Sequence, residues 1–437
     1  MALPPGPRAP ATLQTIRLLA RPVPFFESAR RRYGEPFTAR ILRAGRLVFI
    51  SDPPSIKALF GADRENIVAP GRNVVLGPLL GERSLLLLNG PEHLARRKLM
   101  LPPFHGERMR AYERVMEEAT EREISRWPLN REFRIHPSMQ AITLEVIMRA
   151  VFGVGEDHRD DLRQRLLAIL AATRSPLAIG LTMPAVRSVG AFRRVRRTIA
   201  ETDEILAAEI AERRADPSLA SREDILSLLV AARDENGEGM SDAELRDQLL
   251  TLLMAGHETT ATALAWAFDL LFRHPEAMER LREEVEGDEH EYLDAVAEET
   301  LRLRPVVPFV GRELRVPMEL GGRQLPPGTV VMPSIYLTHT RADLYPEPYA
   351  FRPERFLTEP PETYSWIPFG GGTRRCIGAA FAQVEMRVVL RTVLRAVELR
   401  GGSDAPEAIV RRNVTLSPRG GTPVVVERRR ERVPSAA

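Results

Sequence analysis

The chain has one cysteine, Cys376, among its 437 residues. A single cysteine excludes an internal disulfide and suits a reducing compartment, so we expect a cytoplasmic protein. The sequence also lacks a long apolar run, since the segment 12–20 is interrupted by Gln14 and Arg17. Because a membrane-spanning helix needs about 20 mostly apolar residues, we expect a soluble protein with no membrane anchor.

A large excess of one charge is missing as well. The formal net charge is only +3, which does not favour a nucleic-acid-binding protein. No Gly-x-Gly-x-x-Gly motif lies in a strand–turn–helix context, so a dinucleotide-binding domain is not indicated. Hydrophobic residues make up 44% of the chain, which is enough for a sizeable core. With no internal repeat, we predict one domain over 1–437, with a flexible lead (1–20) and tail (427–437).

A glycine-rich segment, 369–378, contains the cysteine and is followed by a predicted helix at 379–399. Glycine adopts positive φ without strain, so this loop can fold tightly around a group close to its backbone. A cysteine just before a helix N-terminus lies near the positive end of the helix dipole, which favours the thiolate that binds metals. The alternative is a buried cysteine that packs as a small hydrophobic residue.

A second unusual segment lies within a long apolar helix. Ser241 and Glu244 form a capping-box pattern that opens a predicted helix of about 32 residues, ending before Pro275. Its middle, 255–260, contains a glycine and two threonines, which lower helix propensity. A threonine hydroxyl can bond the carbonyl one turn back, and the glycine leaves room for a flat or small molecule. The alternative is a kinked core helix.

Local patterns predict further elements. The segment 23–33 is predicted to be an amphipathic helix, and alternation at 36–51 predicts a strand pair with its turn at Ala44–Gly45. A helix at 291–303 would place Glu299 and Arg302 on one face, where they could form a simple surface ion pair. We expect an apolar strand at 306–310 and a hairpin at 412–421.

Together these segments resemble the cytochrome P450 superfamily. The cysteine loop matches each fixed position of the family's Phe-x-x-Gly-x-Arg-x-Cys-x-Gly signature, at Phe369, Gly372, Arg374, Cys376 and Gly378. The segment 255–260 is similar to the family's oxygen-binding groove. The Glu-x-x-Arg pattern at 299–302 and the segment 351–356 resemble two further elements of the family. The resemblance covers nearly the whole chain.

The resemblance implies a mainly α fold with small β-sheets (α+β), in which a long central helix passes over a haem and the cysteine loop lies beneath it. It implies haem b with an axial Cys376 thiolate as the cofactor, and O₂ as co-substrate. The family pattern places further residues around the haem, the basic ones as propionate partners: His93, Arg97, Arg312, Arg374, Phe369 and Gly378. It also implies a buried structural triad of Glu299, Arg302 and Arg355.

The implied activity is that of a haem-thiolate monooxygenase, which inserts one atom of O₂ into a C–H bond by hydroxylation or epoxidation. Thr259 is implied to hydrogen-bond the oxygen and Glu258 to relay protons, whereas His257 has no implied role. The substrate is expected to be a hydrophobic small molecule such as a fatty acid, terpene or steroid. Its expected pocket residues are apolar: Leu86, Leu87, Met254, Ala255, Val307, Phe309 and Val310.

Electrons are expected from a separate ferredoxin or flavodoxin, because the chain has no reductase motif. A basic docking patch for this donor would be formed by Arg375, Arg96, Lys98 and Arg110. We expect a monomer. Two other functions stay open at this point, a peroxide-driven haem peroxygenase and a haem-binding sensor without catalysis. The Glu258–Thr259 pair favours the monooxygenase over both.

Overall fold

The computed structural model describes residues 3–62, 66–68, 77–104, 106, 108–153, 159–174, 190–358, 360–412 and 414–430. By backbone contacts the chain divides into two units. The larger unit contains Met1–Pro70, Thr120–Gln140 and Thr259–Ala437, and the smaller unit contains Gly71–Ala119 and Ala141–Glu258. A single domain over 1–437 stays a prediction.

Helices dominate both units, which confirms the mainly α fold. None of the helices in the described residues combines the length and the apolar character that crossing a bilayer requires. In chain order they are α1 (Ala11–Ala20), α2 (Pro22–Tyr33), α3 (Pro53–Gly61), α4 (Gly77–Leu80), α5 (Gly90–Met100), α6 (Arg108–Ile124), α7 (Ile135–Phe152), α8 (Arg159–Arg174), α9 (Gly190–Ala215), α10 (Ile225–Ala231), α11 (Asp242–Arg273), α12 (Pro275–Glu284), α13 (Glu291–Leu303), α14 (Ile335–His339), α15 (Arg355–Thr358) and α16 (Ala379–Ala396).

The strands form small sheets, and all described strands belong to the larger unit. One sheet has five strands in the order β1-β2-β8-β5-β3, another has three in the order β4-β12-β9, and β6-β7 and β10-β11 are hairpins. The only parallel pair among the described strands joins β2 to β8. The strands are β1 (Phe37–Ile41), β2 (Gly45–Ile50), β3 (Ile67–Val68), β4 (Glu132–Arg134), β5 (Arg312–Leu314), β6 (Met318–Leu320), β7 (Arg323–Leu325), β8 (Val330–Pro333), β9 (Val397–Gly401), β10 (Ile409–Arg412), β11 (Thr415–Pro418) and β12 (Pro423–Arg429).

The long helix α11 begins at the predicted capping box. The Ser241 backbone N–H donates to the Glu244 carboxylate (2.8 Å), and the Glu244 N–H donates to the Ser241 hydroxyl (3.4 Å). The helix ends at Arg273, before Pro275, whose ring removes a backbone donor. Local sequence signals therefore fix both ends of this element.

Two predicted elements differ from the structure. The segment 306–310 is not a strand, because Pro305 and Pro308 lack the N–H groups that a ladder needs. The helix after the cysteine ends at Ala396 instead of 399, since Val397–Gly401 pairs with β12 as β9. Pairing with a distant strand thus overrides the helical pattern at this point.

Parts of the two ends that we expected to be flexible form regular secondary structure. Residues 11–20 form α1, and the buried amide of Gln14 donates to the carbonyls of Pro7 (2.9 Å) and Ala9 (2.7 Å). At the other end β12 continues to Arg429. Residues 1–2 and 431–437 lie outside the described residues.

The predicted triad lies in one buried network of the larger unit. Arg302 donates to both carboxylate oxygens of Glu299 (2.6 and 2.8 Å), and both side chains are fully buried. Arg355 donates to the same carboxylate at 3.2 Å. Arg302 also donates to the carbonyls of His339 (2.7 Å) and Pro348 (2.8 Å). This geometry compensates both buried charges, as their removal from water requires.

His339 connects this network to the cysteine loop. Its Nε2 accepts the N–H of Ile367 (2.8 Å), and its Nδ1 lies 3.2 Å from the carbonyl of Arg302. Burial, and then the charge of Arg302, lower the pKa of His339 to about 3, so the ring is neutral. A neutral ring with an accepting Nε2 must donate from Nδ1, so the imidazole bridges α13 and the residue Ile367, just before the loop.

We expect Arg302→Met to lower the free energy of unfolding by roughly 3–5 kcal/mol, because the buried Glu299 charge loses its main partner. Urea unfolding of the holoprotein measures this loss. The matched control is Arg400→Ala, which breaks the exposed pair of Arg400 with Glu427 (3.0 Å). Exposed pairs contribute about 0–1 kcal/mol, so an equal loss in both variants would contradict a structural role for the triad.

Another buried acid, Glu385, lies on α16. Thr260 of α11 hydrogen-bonds its carboxyl, and Oε1 has no partner among the described atoms. Burial raises the pKa of Glu385 to about 8. The folded protein therefore keeps this proton at neutral pH, whereas an unfolded glutamate has lost it.

This difference predicts the pH dependence of stability. Between the ordinary glutamate pKa and about 8, the folded state binds the extra proton, so the stability from this group falls as pH rises, by at most about 1.4 kcal/mol per pH unit. We expect Glu385→Gln to remove this decline while matching the wild type at pH 5. Urea unfolding from pH 5 to 9 tests it, with the exposed Glu279→Gln as control. Parallel curves for Glu385→Gln and the wild type would contradict the assignment.

Candidate functional site

The cysteine loop packs tightly against α3. Gly370 and Gly372 have φ angles of +68° and +65°, a backbone conformation that residues with a side chain rarely adopt. A Cβ on Gly371 would lie 2.4 Å from the ring of Phe60, and one on Gly372 would lie 2.7 Å from the Phe60 carbonyl oxygen. Glycine is therefore required at Gly370 because of its φ angle, at Gly371 because of the close contact, and at Gly372 for both reasons.

The path of this loop leaves Cys376 exposed to solvent. The Cys376 N–H donates to the carbonyl of Phe369 (2.9 Å), which closes the loop, and the cysteine is exposed. Helix α16 begins three residues later, capped by Gly378. The thiol is thus close to a helix N-terminus, where the dipole favours thiolate.

A buried cation lies against the same loop. Arg312, in β5, donates to the carbonyls of Gly311 (2.7 Å) and Gly371 (3.1 Å), and its guanidinium lies 5.1 Å from the centre of the Phe60 ring. Burial, and then the charge of Arg374, lower the pKa of Arg312 to about 10.

These donors fit the propionates of a haem. In the described part of the chain no carboxylate forms an ion pair with Arg312, although a buried guanidinium normally has one. The loop therefore contains an exposed cysteine before a helix, and the charge of its Arg374 repels that of Arg312, which packs against the loop. An anionic group bound beside them would remove this repulsion, and the guanidinium fork suits a carboxylate.

The other predicted propionate partners lie in the smaller unit. His93 and Arg97 are one turn apart on α5, so they share a helix face, and His93 is buried. Cys376, Arg312 and Arg374 belong to the larger unit. The role of His93 and Arg97 toward the haem stays a prediction.

The middle of α11 is approached closely by α7. A Cβ on Gly256 would lie 3.3 Å from the Ile147 side chain, so glycine allows this contact. The Thr143 hydroxyl donates to the carbonyl of His257 (2.8 Å). Neither α7 residue was singled out from the sequence, since nothing local links them to 255–260.

The predicted acid–alcohol pair lies next in this helix. Glu258 retains 13% of its side-chain exposure, whereas His257 is buried, and the His257 Nε2 lies 4.0 Å from the Glu258 carboxylate. Thr259 is half-buried. The carboxylate of Glu258 is therefore partly accessible to water.

The seven predicted pocket residues have different surroundings. Leu86 and Ala255 are exposed, and Leu87 and Val307 are half-buried. Met254 packs against Leu80 and Ile169 in the smaller unit, and Val310 against the core beneath the five-stranded sheet. Phe309 packs edge-to-face on Phe26 (5.8 Å) and Phe49 (5.7 Å). A pocket role stays a prediction for all seven.

The turn that carries Leu86 is held by α11 residues that the sequence did not reveal. The Leu85 N–H donates to the Gln248 side chain (2.9 Å), and the hydroxyls of Ser84 and Thr251 are 2.7 Å apart. The only sequence signal for these contacts was the presence of polar residues on an apolar helix.

Two residues of the expected basic patch have acidic partners. Arg96 forms an ion pair with Glu244 and is largely buried, and Lys98 pairs with Glu235 (2.7 Å). Arg375 is exposed, as predicted. The acidic partners neutralise much of the charge of Arg96 and Lys98.

Comparison with known proteins shows the family to which this chain belongs. The family model described as Cytochrome P450 matches residues 4–422. A Mycobacterium tuberculosis protein assigned as cytochrome P450 135B1 is 43% identical over 437 residues, covering 99% of this chain and 93% of the relative. Another from the same organism, assigned as cytochrome P450 137, is 40% identical over 440 residues, covering 96% and 90%.

Solved structures show the same fold. The retinoic acid-bound cyanobacterial CYP120A1 has a TM-score of 0.84 and 28% identity, covering 98% of this chain and 100% of that one. The haem domain of cytochrome P450DA has a TM-score of 0.85 and 25% identity, covering 98% of each. The chain therefore belongs to the cytochrome P450 family, and it is a haem-thiolate monooxygenase with O₂ as its co-substrate.

Proposed function

We propose that this cytochrome P450 oxidises a hydrophobic small molecule by inserting one oxygen atom into a C–H bond, as hydroxylation or epoxidation. The balanced hydroxylation is RH + O₂ + 2e⁻ + 2H⁺ → ROH + H₂O. The observation that carries the proposal is the glycine-built loop on Phe60, which presents Cys376 before α16. When bound, the haem supplies a thiolate-ligated iron whose electron density favours O–O cleavage.

The proposed haem contacts come from several elements. Cys376 would hold the haem iron through its sulfur, and Phe369 and Gly378 would shape the adjacent backbone. Arg312 and Arg374 hold the propionates in the larger unit, and this role is supported by the fact that no described carboxylate pairs with Arg312. His93 and Arg97 are proposed to donate to the same carboxylates.

The proposed proton path uses two neighbours on α11. Glu258 takes protons from water and passes them inward, and its partial exposure supports this role. The Thr259 hydroxyl donates a hydrogen bond to the oxygen co-substrate. These residues would be unnecessary in a sensor, and they favour O₂ over peroxide as the oxidant.

The substrate class is a hydrophobic fatty acid, terpene or steroid. The proposed pocket residues are all apolar, and they carry no charge that would recognise a polar ligand. The related CYP120A1 was solved with retinoic acid bound, and this ligand is an apolar isoprenoid chain with one carboxylate. That relative supports the terpenoid class most directly.

The electrons are proposed to come from a separate ferredoxin or flavodoxin. The exposed Arg375, directly before the cysteine, supports docking of an acidic donor at the loop. Arg96 and Lys98 contribute less, since each has an acidic partner.

The test of the haem ligand is Cys376→Ser. We expect the reduced, carbon monoxide-treated holoprotein to show the red-shifted absorption band of a thiolate-bound haem, and the variant to lose it. Thr373→Ser, a conservative change in the same loop, is the control and keeps the band. An unchanged spectrum in Cys376→Ser would remove the sulfur from the site.

Thr259→Ala tests the proton path separately. We expect product formation to fall by roughly 10²–10⁴-fold, because the hydroxyl no longer directs the proton. Electrons are still consumed, and they reduce O₂ to hydrogen peroxide, which is released. Product and peroxide are measured against electrons consumed, with a lipophile that shifts the haem spectrum. Thr259→Ser restores the hydroxyl and should restore coupling. Equal coupling in Thr259→Ala and the wild type would exclude the role.

A further inference from the structure

Helix α1 presents an apolar face to solvent. Leu13, Ile16 and Leu19 are 39%, 60% and 46% exposed, and their spacing of three residues places them side by side on the helix. The opposite face holds Gln14 and Leu18, which are buried and fix the helix to the larger unit. The helix is therefore anchored to the larger unit, and its exposed apolar face is a fixed feature of the fold.

The turn between β1 and β2 extends this face. The Leu42 N–H donates to the Thr15 hydroxyl (2.8 Å), and the Arg40 N–H donates to the Gln14 side chain (3.0 Å). Leu42 is 53% exposed. Leu13, Ile16, Leu19 and Leu42 form what we call the N-terminal apolar patch.

The charge of the N-terminal segment is mostly positive. Residues 1–51 contain nine arginines and two glutamates, whereas the whole chain has a net charge of only +3. Both glutamates bind elsewhere, Glu27 to Arg30 (3.0 Å) and Glu35 to Arg341 (2.9 Å). Within this segment the patch is thus flanked by basic residues.

Four of these arginines are exposed beside the patch: Arg17, Arg40, Arg43 and Arg46. None of the four has an ion pair within the part of the chain that the structure describes. Arg40 and Arg46 are direct cross-strand partners in the β1–β2 pair. Like charges in this arrangement destabilise a sheet, and an anionic surface would relieve the repulsion.

We propose that the N-terminal apolar patch docks on the surface of an anionic lipid bilayer. The four apolar side chains enter the interface, and the arginines bind lipid phosphates, as in other amphipathic segments that lie on membranes. Charge complementarity selects this occupant. A second copy of the chain would bring its own exposed arginines against those of the first, and the like charges would repel. No described helix is long and apolar enough to cross the bilayer, so the proposed contact is with its surface. The proposal does not depend on the proposed substrate.

The first experiment measures co-sedimentation of the holoprotein with vesicles. We expect binding to vesicles of phosphatidylglycerol and phosphatidylcholine in equal parts, little binding to phosphatidylcholine alone, and weaker binding as NaCl increases. Equal binding to both vesicles, or binding to neither, would overturn the proposal.

Variants separate the apolar and basic contributions. We expect Ile16→Glu to weaken binding by about tenfold or more, while Leu357→Glu, at an exposed leucine of α15, has no effect. The double variant Arg40→Gln, Arg46→Gln should bind more weakly and depend less on salt. The carbon monoxide spectrum and thermal midpoint show that each variant is folded.

Sedimentation velocity without lipid provides the remaining outcome. We expect Ile16→Glu to leave the sedimentation coefficient unchanged. A dimer that this variant dissociates, together with absent vesicle binding, would identify the patch as a contact between copies and overturn the proposal.

Discussion

The ring of Phe60 is the contact on which the cysteine loop depends. Gly371 and Gly372 approach this residue so closely that no side chain fits at either position, and Arg312 stacks on the same ring. One buried aromatic residue of α3 therefore sets both the path of the loop and the position of the cation beside it. Haem ligation by Cys376 requires this path, since the thiol must be exposed while its backbone is closed on Phe369.

The buried charges of the larger unit fall into two kinds. Arg302 has the carboxylate of Glu299 and several carbonyls, so its charge is compensated within the fold. Arg312 has carbonyls, an aromatic ring and a second cation nearby, and no carboxylate forms an ion pair with it in the described part of the chain. The first kind stabilises the scaffold, and His339 links it to Ile367, just before the loop. The second kind supports the proposal that Arg312 binds a propionate of the haem.

The N-terminal segment connects the fold to a further surface. Its helix is fixed by Gln14 and Leu18, yet it leaves three large apolar side chains in water beside exposed arginines. Such exposure is unfavourable unless something covers it. A hydrophobic substrate partitions into lipid, so docking at a bilayer would bring the enzyme to the place where such a molecule is concentrated.

Local sequence determined much of this protein by itself. The capping box at Ser241, the bounds of α13, the strand pair around Ala44–Gly45 and the glycines before Cys376 depend on residues within a turn or two of one another. The cysteine loop and the Glu299–Arg302 pair could therefore be located from the order of the residues alone. Tertiary structure alone decided that Val397–Gly401 leaves α16 for β12, that Arg96 pairs with Glu244, and that Phe60 and Ile147 lie against critical glycines. These contacts join residues far apart in the chain, and a distant partner leaves no periodic signal in either segment.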